Sequence, residues 1–74
     1  MQEYVIDVLR IEELQTLNDQ DALEKIFSRA QSTIVNGEKV VLVRKDKTGA
    51  AQKFDEFSTL EDLKRYKKSV FKYL

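Results

Sequence analysis

An unbroken run of four apolar residues, Val40 to Val43, constrains the fold of this chain more than any other feature. Its short length separates it from a buried helix, which needs about ten residues or more. Strands that read as continuous apolar segments are typical of the centre of a sheet whose two faces are both covered. The run therefore predicts a central strand, around which the other elements must be arranged.

The residues after this run predict a hairpin. The segment from Asp46 to Gly49 is a polar turn sequence, and Gly49 suits the left-handed position of a three- to five-residue hairpin loop. The return strand, about Ala51 to Phe57, contains more polar residues. We therefore expect it at an edge of the sheet.

The segment from Glu3 to Ile11 precedes these strands and is also rich in apolar residues. Helical winding at about 100° per residue would scatter its apolar side chains around the axis without leaving a clean polar face. Val5, Ile6, Val8 and Ile11 are β-branched, which favours a strand. We expect one strand from Glu3 to Ile11, with both of its faces at least partly buried.

Two amphipathic helices are predicted. The first ends at Asn36-Gly37, because glycine adopts a positive φ at little cost. Its apolar side has the helical spacing i, i+3, i+4, i+7, i+11 and consists of Leu23, Ile26, Phe27, Ala30 and Ile34. The second runs from Leu60 to the last residue, and its apolar side consists of Leu63, Tyr66, Val70, Phe71 and Leu74.

The sequence E-x-x-T-L-x-D occurs twice, at Glu13 to Asp19 and at Glu56 to Asp62. Each copy precedes a predicted helix, where a Thr oxygen can accept a hydrogen bond from the amide three residues later. The first helix then begins with Thr16 or, alternatively, Asn18 as its N-cap. We interpret the similarity as helix capping rather than as an internal repeat, since the two helices diverge beyond the motif.

Lys67 lies within the apolar side of the second helix. One interpretation is that its methylene stem lies along the edge of the core while its ammonium group reaches water. The other is that it pairs with an acid of the acidic half of the chain, for example on the first helix, and so fixes the packing of the two helices. For the aromatic residues, we expect the phenylalanines in the core, namely Phe27, Phe54, Phe57 and Phe71.

These elements predict a single small α+β domain over residues 1–74, in the order β-α-β-β-α. A right-handed crossover makes the first two strands parallel, and the hairpin adds the third strand antiparallel. The sheet is then three-stranded and mixed, in the order 1-2-3, and it packs against two helices. The sequence leaves open whether the helices share one face. If they do, apolar residues on the other face are available to a partner, including a second copy.

The composition argues against most chemistry. The chain contains no His and no Cys, so the usual base near neutral pH, the thiol nucleophile and the nitrogen or sulfur ligands of a metal are missing. Two glycines cannot form a phosphate-binding glycine-rich loop, and acidic residues occupy the predicted helix starts. We predict a protein that is not an enzyme, with no catalytic, cofactor or metal residues and no small-molecule substrate.

The charges are unevenly distributed although they sum to zero. Residues 1–38 hold eight acids and three bases, and residues 39–74 hold five acids and ten bases. We expect an interaction domain that binds a protein partner or itself, with nucleic-acid binding through a basic hairpin and last helix as the alternative. The candidate binding residues are Arg44, Lys45, Lys47, Lys53, Lys64, Arg65, Tyr66, Lys68, Lys72 and Tyr73.

The pattern near the N-terminus does not favour export. Glu3 precedes the first apolar stretch, and Asp7 and Arg10 interrupt it, whereas a signal peptide has a basic start and an unbroken apolar segment. No run approaches the roughly 20 apolar residues of a membrane span. We therefore expect a cytoplasmic protein that does not bind membranes.

Overall fold

A computed structural model describes residues 3–72 and 74. The described chain forms a small α+β domain, as predicted, but with one more helix than expected, in the order β-α-α-β-β-α. The elements are β1 (Glu3–Asp7), α1 (Val8–Thr16), α2 (Gln20–Val35), β2 (Lys39–Lys45), β3 (Ala51–Phe57) and α3 (Leu60–Phe71). Within the described residues, no helix is both long enough and apolar enough to cross a membrane.

The sheet has the predicted order and directions. β2 lies between β1, which is parallel to it, and β3, which is antiparallel. At the turn between β2 and β3, the Asp46 carboxylate accepts hydrogen bonds from the backbone amides of Thr48, at 2.9 Å, and Ala50, at 3.0 Å. Gly49 has a φ of +84°, which confirms the predicted left-handed position.

The predicted strand from Glu3 to Ile11 is wrong beyond Asp7, where the chain turns into α1. Asp7 is the N-cap, and its carboxylate accepts a hydrogen bond from the Leu9 amide at 3.0 Å. In the helix, Val8, Ile11 and Leu14 are all buried, and their three-residue spacing places them on one side. The spacing of the buried side chains changes from every second residue in β1 to every third residue in α1, and the capping Asp7 marks the boundary.

The start of α2 is also corrected. Its N-cap is Asp19, whose carboxylate accepts from the Ala22 amide at 3.1 Å. Asn18 instead has a positive φ of 54° in the turn after α1, a conformation that Asn tolerates better than most residues. Thr16 lies inside α1, where its hydroxyl donates to the Glu12 carbonyl. By contrast, the Thr predicted to cap the last helix does so, since Thr59 accepts from the Asp62 amide at 3.2 Å.

Every helix of the described chain packs against the same face of the sheet. One cluster of buried residues joins Ile6, Val40, Leu42 and Phe57 of the sheet with residues of α1, α2 and α3. This resolves the choice that the sequence left open. The prediction that β2 is central is confirmed, but helices cover only one of its faces, and Val5 on the other face of β1 is 53% exposed.

The aromatic core is centred on Phe27. Its ring lies 5.8 Å from that of Tyr66 and 5.9 Å from that of Phe71, measured between centroids. Phe57 is buried against Tyr66, at 5.4 Å. Phe54 does not follow the prediction, because it is 60% exposed. The pairing of β2 with β3 shifts between Leu42 and Val43, so Phe54 is the extra residue of a β-bulge.

Candidate interaction surfaces

Three of the predicted binding residues use their charges within the chain. Arg44 contacts Glu12 of α1, with 2.7 Å between guanidinium nitrogen and carboxylate oxygen. Lys53 contacts Glu56 at 2.8 Å. Arg65 contacts Glu61 at 3.1 Å and Asp62 at 3.8 Å, both within α3. A ligand anion at any of these cations would have to compete with a carboxylate that is already in place.

The Lys53–Glu56 pair changes the titration of both partners in the expected sense. The hydrogen bond from Lys53 lowers the pKa of the Glu56 carboxyl, and the same bond raises the pKa of the Lys53 ammonium. Both groups are solvated, so the pair stabilises the fold only weakly. It does keep this part of β3 nearly neutral for an incoming molecule.

The basic residues of the hairpin are divided between the two sides of the sheet. Val40 and Leu42 point into the core, so by strand alternation Arg44 shares their side, where it meets Glu12 of α1. Lys45 is then on the opposite side, and so is Lys53, which pairs in register with Val43. The hairpin therefore does not present Arg44 and Lys53 as one cationic stripe.

Four candidate lysines carry an exposed ammonium group without an ion pair in the described part of the chain. Two are at the end of the hairpin and two lie one turn apart on α3, namely Lys45, Lys47, Lys64 and Lys68. Lys72 is exposed and is the C-cap of α3. Tyr73 lies outside the described residues, so its predicted role stays a prediction.

Tyr66 is half-buried, and its ring contributes to the core through Phe27 and Phe57. Burial raises the pKa of its hydroxyl above the ordinary value, and the nearby Glu12 carboxylate raises it further, while Arg44 acts in the opposite direction. Tyr66 also lines an open cleft of about 210 Å³ between α1, α3 and the hairpin, together with Phe54.

Lys67 forms an ion pair with an acid, which is one of the two interpretations that the sequence allows. Its ammonium nitrogen lies 3.1 Å from a carboxylate oxygen of Glu24 on α2. The same nitrogen lies 5.6 Å from the centre of the Phe71 ring, within reach of a cation–π interaction. Lys67 therefore joins α2 to α3, and it is not one of the four lysines without an ion pair in the described part of the chain.

The uncovered face of the sheet is a surface that the candidate residues from the sequence did not include. Val5 of β1 pairs in register with Val41 of β2, and Val43 lies two residues further along β2. Val41 is buried but lies outside the helix-side core cluster, and Val43 is half-buried. These three valines form an apolar strip, which we call the valine face. The alternation of side chains along β1 and β2 indicates this strip in the sequence, but only when it is known that the helices cover the other face.

Charged residues surround the valine face in a strand-by-strand pattern. β1 contributes Glu3 and Asp7, and β2 contributes Lys39 and Lys45, since residues two apart share a side of a strand. Glu3 and Lys39 are register partners. β3 contributes the mutually paired Lys53 and Glu56. The acids therefore lie along β1 and the unpaired bases along β2.

Two further grooves are lined in part by residues of the helices. One, of about 380 Å³, is bounded by the exposed Leu9 and Leu17 of the α1 region. The other, of about 420 Å³, lies between the end of β3 and the start of α3 and contains Arg65 with its carboxylate partner Asp62. Among residues 3–72 and 74, no three acidic side chains come close enough to hold a metal ion.

Comparison with models of protein families, with curated proteins and with solved structures finds no match to this chain. Its function is therefore inferred from its own residues and their arrangement.

Proposed function

We propose that this chain is a small intracellular interaction domain that is not an enzyme and acts by binding a protein partner. The observation that carries the proposal is the valine face. A sheet with helices on one side only leaves the other side to water unless another molecule covers it. Here that side has an apolar centre, with Val5 53% exposed, and charges only around it.

Covering the valine face would contribute a modest free energy of binding. Burying a whole Val side chain contributes roughly 1.5 kcal/mol or more, in proportion to the area removed from water. Val5 retains about half of its surface for this purpose. An apolar centre with a polar rim is also the usual layout of a protein–protein interface. A protein surface matches this layout better than a uniformly charged polymer does.

The experiment is an affinity capture from an extract of the source cell, with and without nuclease, using two matched variants. Val5→Glu adds a charge to the valine face, and Val35→Glu adds the same charge to a similarly exposed valine at the end of α2. We expect a nuclease-resistant protein partner that the parent and Val35→Glu retain and that Val5→Glu loses. Far-UV circular dichroism of both variants establishes that they are folded.

Two outcomes contradict this proposal. One is that Val5→Glu and Val35→Glu retain the same partner equally well, which would place the binding surface elsewhere. The other is that all captured material disappears with nuclease, which would identify the ligand as a nucleic acid.

Nucleic-acid binding is the second candidate, and the unpaired lysines favour it. Lys45, Lys47, Lys64 and Lys68 form no ion pair in the described part of the chain, so their charges are available to phosphates. Such binding weakens steeply with salt, because each neutralised phosphate releases counterions. The hydrogen-bonded Arg44 and Lys53 would contribute less than their charge suggests.

The test of this candidate is a titration of duplex and single-stranded DNA and RNA at low and at high salt. Lys64→Glu combined with Lys68→Glu should abolish binding without unfolding the domain. Lys25→Glu, on the exposed side of α2, is the control for Lys64→Glu alone, because each changes the net charge by the same amount. No binding at low salt eliminates the candidate.

A further inference from the structure

The charges around the valine face are arranged so that the face complements itself. In register, Glu3 of β1 is the partner of Lys39 of β2, and Val5 is the partner of Val41. Within one chain these residues are side by side. If a second sheet were placed on top with β1 and β2 exchanged, the Glu3–Lys39 and Val5–Val41 pairs would recur between the two chains, and Asp7 would lie opposite its register partner Val43 of the other chain.

We infer that the partner on the valine face is a second copy of this chain, related by a two-fold axis that runs along the strands between β1 and β2. This inference rests on the proposed function and names its partner. The axis places Glu3 of each copy opposite Lys39 of the other, and Val5 opposite Val41. Such an interface is isologous, so each contact occurs twice.

The distribution of charge favours this occupant over a strongly charged one. Glu3, Asp7 and Glu56 on this side oppose a polyanion, and Lys39, Lys45 and Lys53 oppose a polycation. A second copy brings Lys39 opposite Glu3, whereas the Asp7 carboxylate is already held by the Leu9 amide at the start of α1. β3 lies beside the contact, and its Lys53–Glu56 pair is already satisfied within the chain.

The size of the contact predicts a weak dimer. Two strands of five residues cover roughly 10 by 17 Å, much less than the roughly 800 Å² per partner of a stable interface. We therefore expect a dissociation constant between about 0.1 and about 1 mM. Such an equilibrium is measured by sedimentation velocity or by concentration-dependent NMR shifts of Val5, Val41 and Lys39.

A charge exchange between chains tests the inference. Glu3→Lys puts a second positive charge opposite Lys39 of the other copy, and Lys39→Glu puts a second negative charge opposite Glu3. Each variant alone should therefore dimerise at least about tenfold more weakly than the parent. A mixture of the two variants brings the introduced lysine of one chain opposite the introduced glutamate of the other.

The mixture distinguishes the inferred axis from any other packing. One of its two contacts joins the introduced lysine to the introduced glutamate, and the other joins the native Lys39 of the first variant to the native Glu3 of the second. Both contacts have opposite charges, so we expect a heterodimer at least as stable as the parent dimer. Because the rescue occurs between chains, it cannot come from repair of one variant's fold.

The matched control is a mixture of Glu61→Lys and Lys68→Glu, two reversals on the exposed side of α3. These variants carry the same net charges as the first pair, so any attraction between oppositely charged monomers appears here too. We expect this mixture to dimerise no more tightly than the parent. A gain from mixing that is equal in both cases overturns the inference, because it reflects net charge rather than the valine face.

A single cysteine gives a second, geometric readout, since the chain has no Cys of its own. In the inferred dimer, the two copies of Val5 lie on adjacent strands of facing sheets. A short bis-maleimide should link Val5→Cys chains into dimers and should leave Val35→Cys chains as monomers at the same concentration. A parent chain that remains monomeric up to about 5 mM, about five times the highest expected dissociation constant, overturns self-association.

The failure of this inference is distinguishable from failure of the proposed function. A monomeric parent that still captures another protein, which Val5→Glu loses, excludes the second copy and leaves the valine face as the binding surface. A dimer that Glu3→Lys leaves unchanged also excludes the inferred axis.

Discussion

At the scale of single residues, Tyr66 links the core to the surface. Its ring packs against Phe27 and Phe57, and its hydroxyl lies in a partly buried position near the Glu12 carboxylate. Both burial and this negative charge disfavour the phenolate, so the pKa of Tyr66 is raised above its ordinary value. The folded protein therefore holds this proton more tightly than the unfolded chain does.

This difference predicts a loss of stability at alkaline pH. Above about pH 10 the unfolded chain releases the Tyr66 proton, while the folded chain keeps it until the pH passes its higher folded pKa. The unfolded state is then favoured as the pH rises through this window. Tyr66→Phe keeps the ring and removes the titration, so its free energy of unfolding should fall less than that of the parent between pH 9 and pH 11, within about one unit of the ordinary pKa. Urea unfolding at each pH measures the free energy of unfolding. An equal fall with pH in the two proteins would contradict the prediction.

Residue-level prediction from the sequence succeeded where one property decided the outcome. For Lys67 the sequence left two interpretations open, and the ion pair with Glu24 at 3.1 Å selects the paired one. Gly49 was predictable because few other residues adopt its backbone conformation. The N-cap of α2 was not, because Thr16, Asn18 and Asp19 all have side chains that can cap a helix, and only the end of α1 selects among them.

At the scale of elements, the two copies of E-x-x-T-L-x-D show that a local motif does not fix its own structure. In the second copy, Thr59 caps α3. In the first copy, Thr16 is the last residue of α1, and the turn that follows it leads to the cap Asp19. The difference comes from the preceding residues, which are strand before Thr59 and helix before Thr16.

This contrast predicts different costs for the same substitution. Thr59→Ala removes the acceptor for the Asp62 amide and should lower the free energy of unfolding by about 1 kcal/mol. Thr16→Ala removes no cap, and alanine has the higher helix propensity, so the change should stay within about 0.5 kcal/mol. Thermal or urea unfolding of both variants compares them directly. Equal losses would mean that Thr16 also has a capping role.

There is a physical reason why the sequence pattern did not predict α1. The segment from Glu3 to Ile11 predicts a single strand because its apolar residues are nearly continuous and β-branched residues favour strands. Their periodicity changes at Asp7, and only the longer series Val8, Ile11, Leu14 shows the helical side. A window from Glu3 to Ile11 spans the change and averages over both patterns.

At the scale of the whole molecule, composition and pattern were enough for the fold class, the strand order and the strand directions. They were not enough for the side of the sheet that each helix covers. β2 is apolar on both sides, because Val41 and Val43 as well as Val40 and Leu42 avoid water. That pattern suggests cover on both faces, whereas only three-dimensional packing shows that one face lacks helices.

The edge of the small core lies between two neighbouring phenylalanines of β3, which predicts a sharp contrast in the cost of removing their rings. Phe57 is 6% exposed and Phe54 is 60% exposed. Phe57→Ala should cost about 3 to 5 kcal/mol, against a total stability of roughly 4 to 11 kcal/mol for a chain of this length. Phe54→Ala should cost no more than about 0.5 kcal/mol. Urea unfolding measures both, and a large loss in Phe54→Ala would show that its ring is packed.

The β-bulge at Phe54 also bears on how this protein avoids aggregation. β3 is an outer strand of the described sheet, and a regular outer strand offers its unpaired amides and carbonyls as a template on which further chains can stack. A bulge breaks that regular spacing, and the charges of Lys53, Asp55 and Glu56 oppose close stacking of identical strands. At high protein concentration, the other outer strand, β1, is therefore the edge on which fibril growth would start.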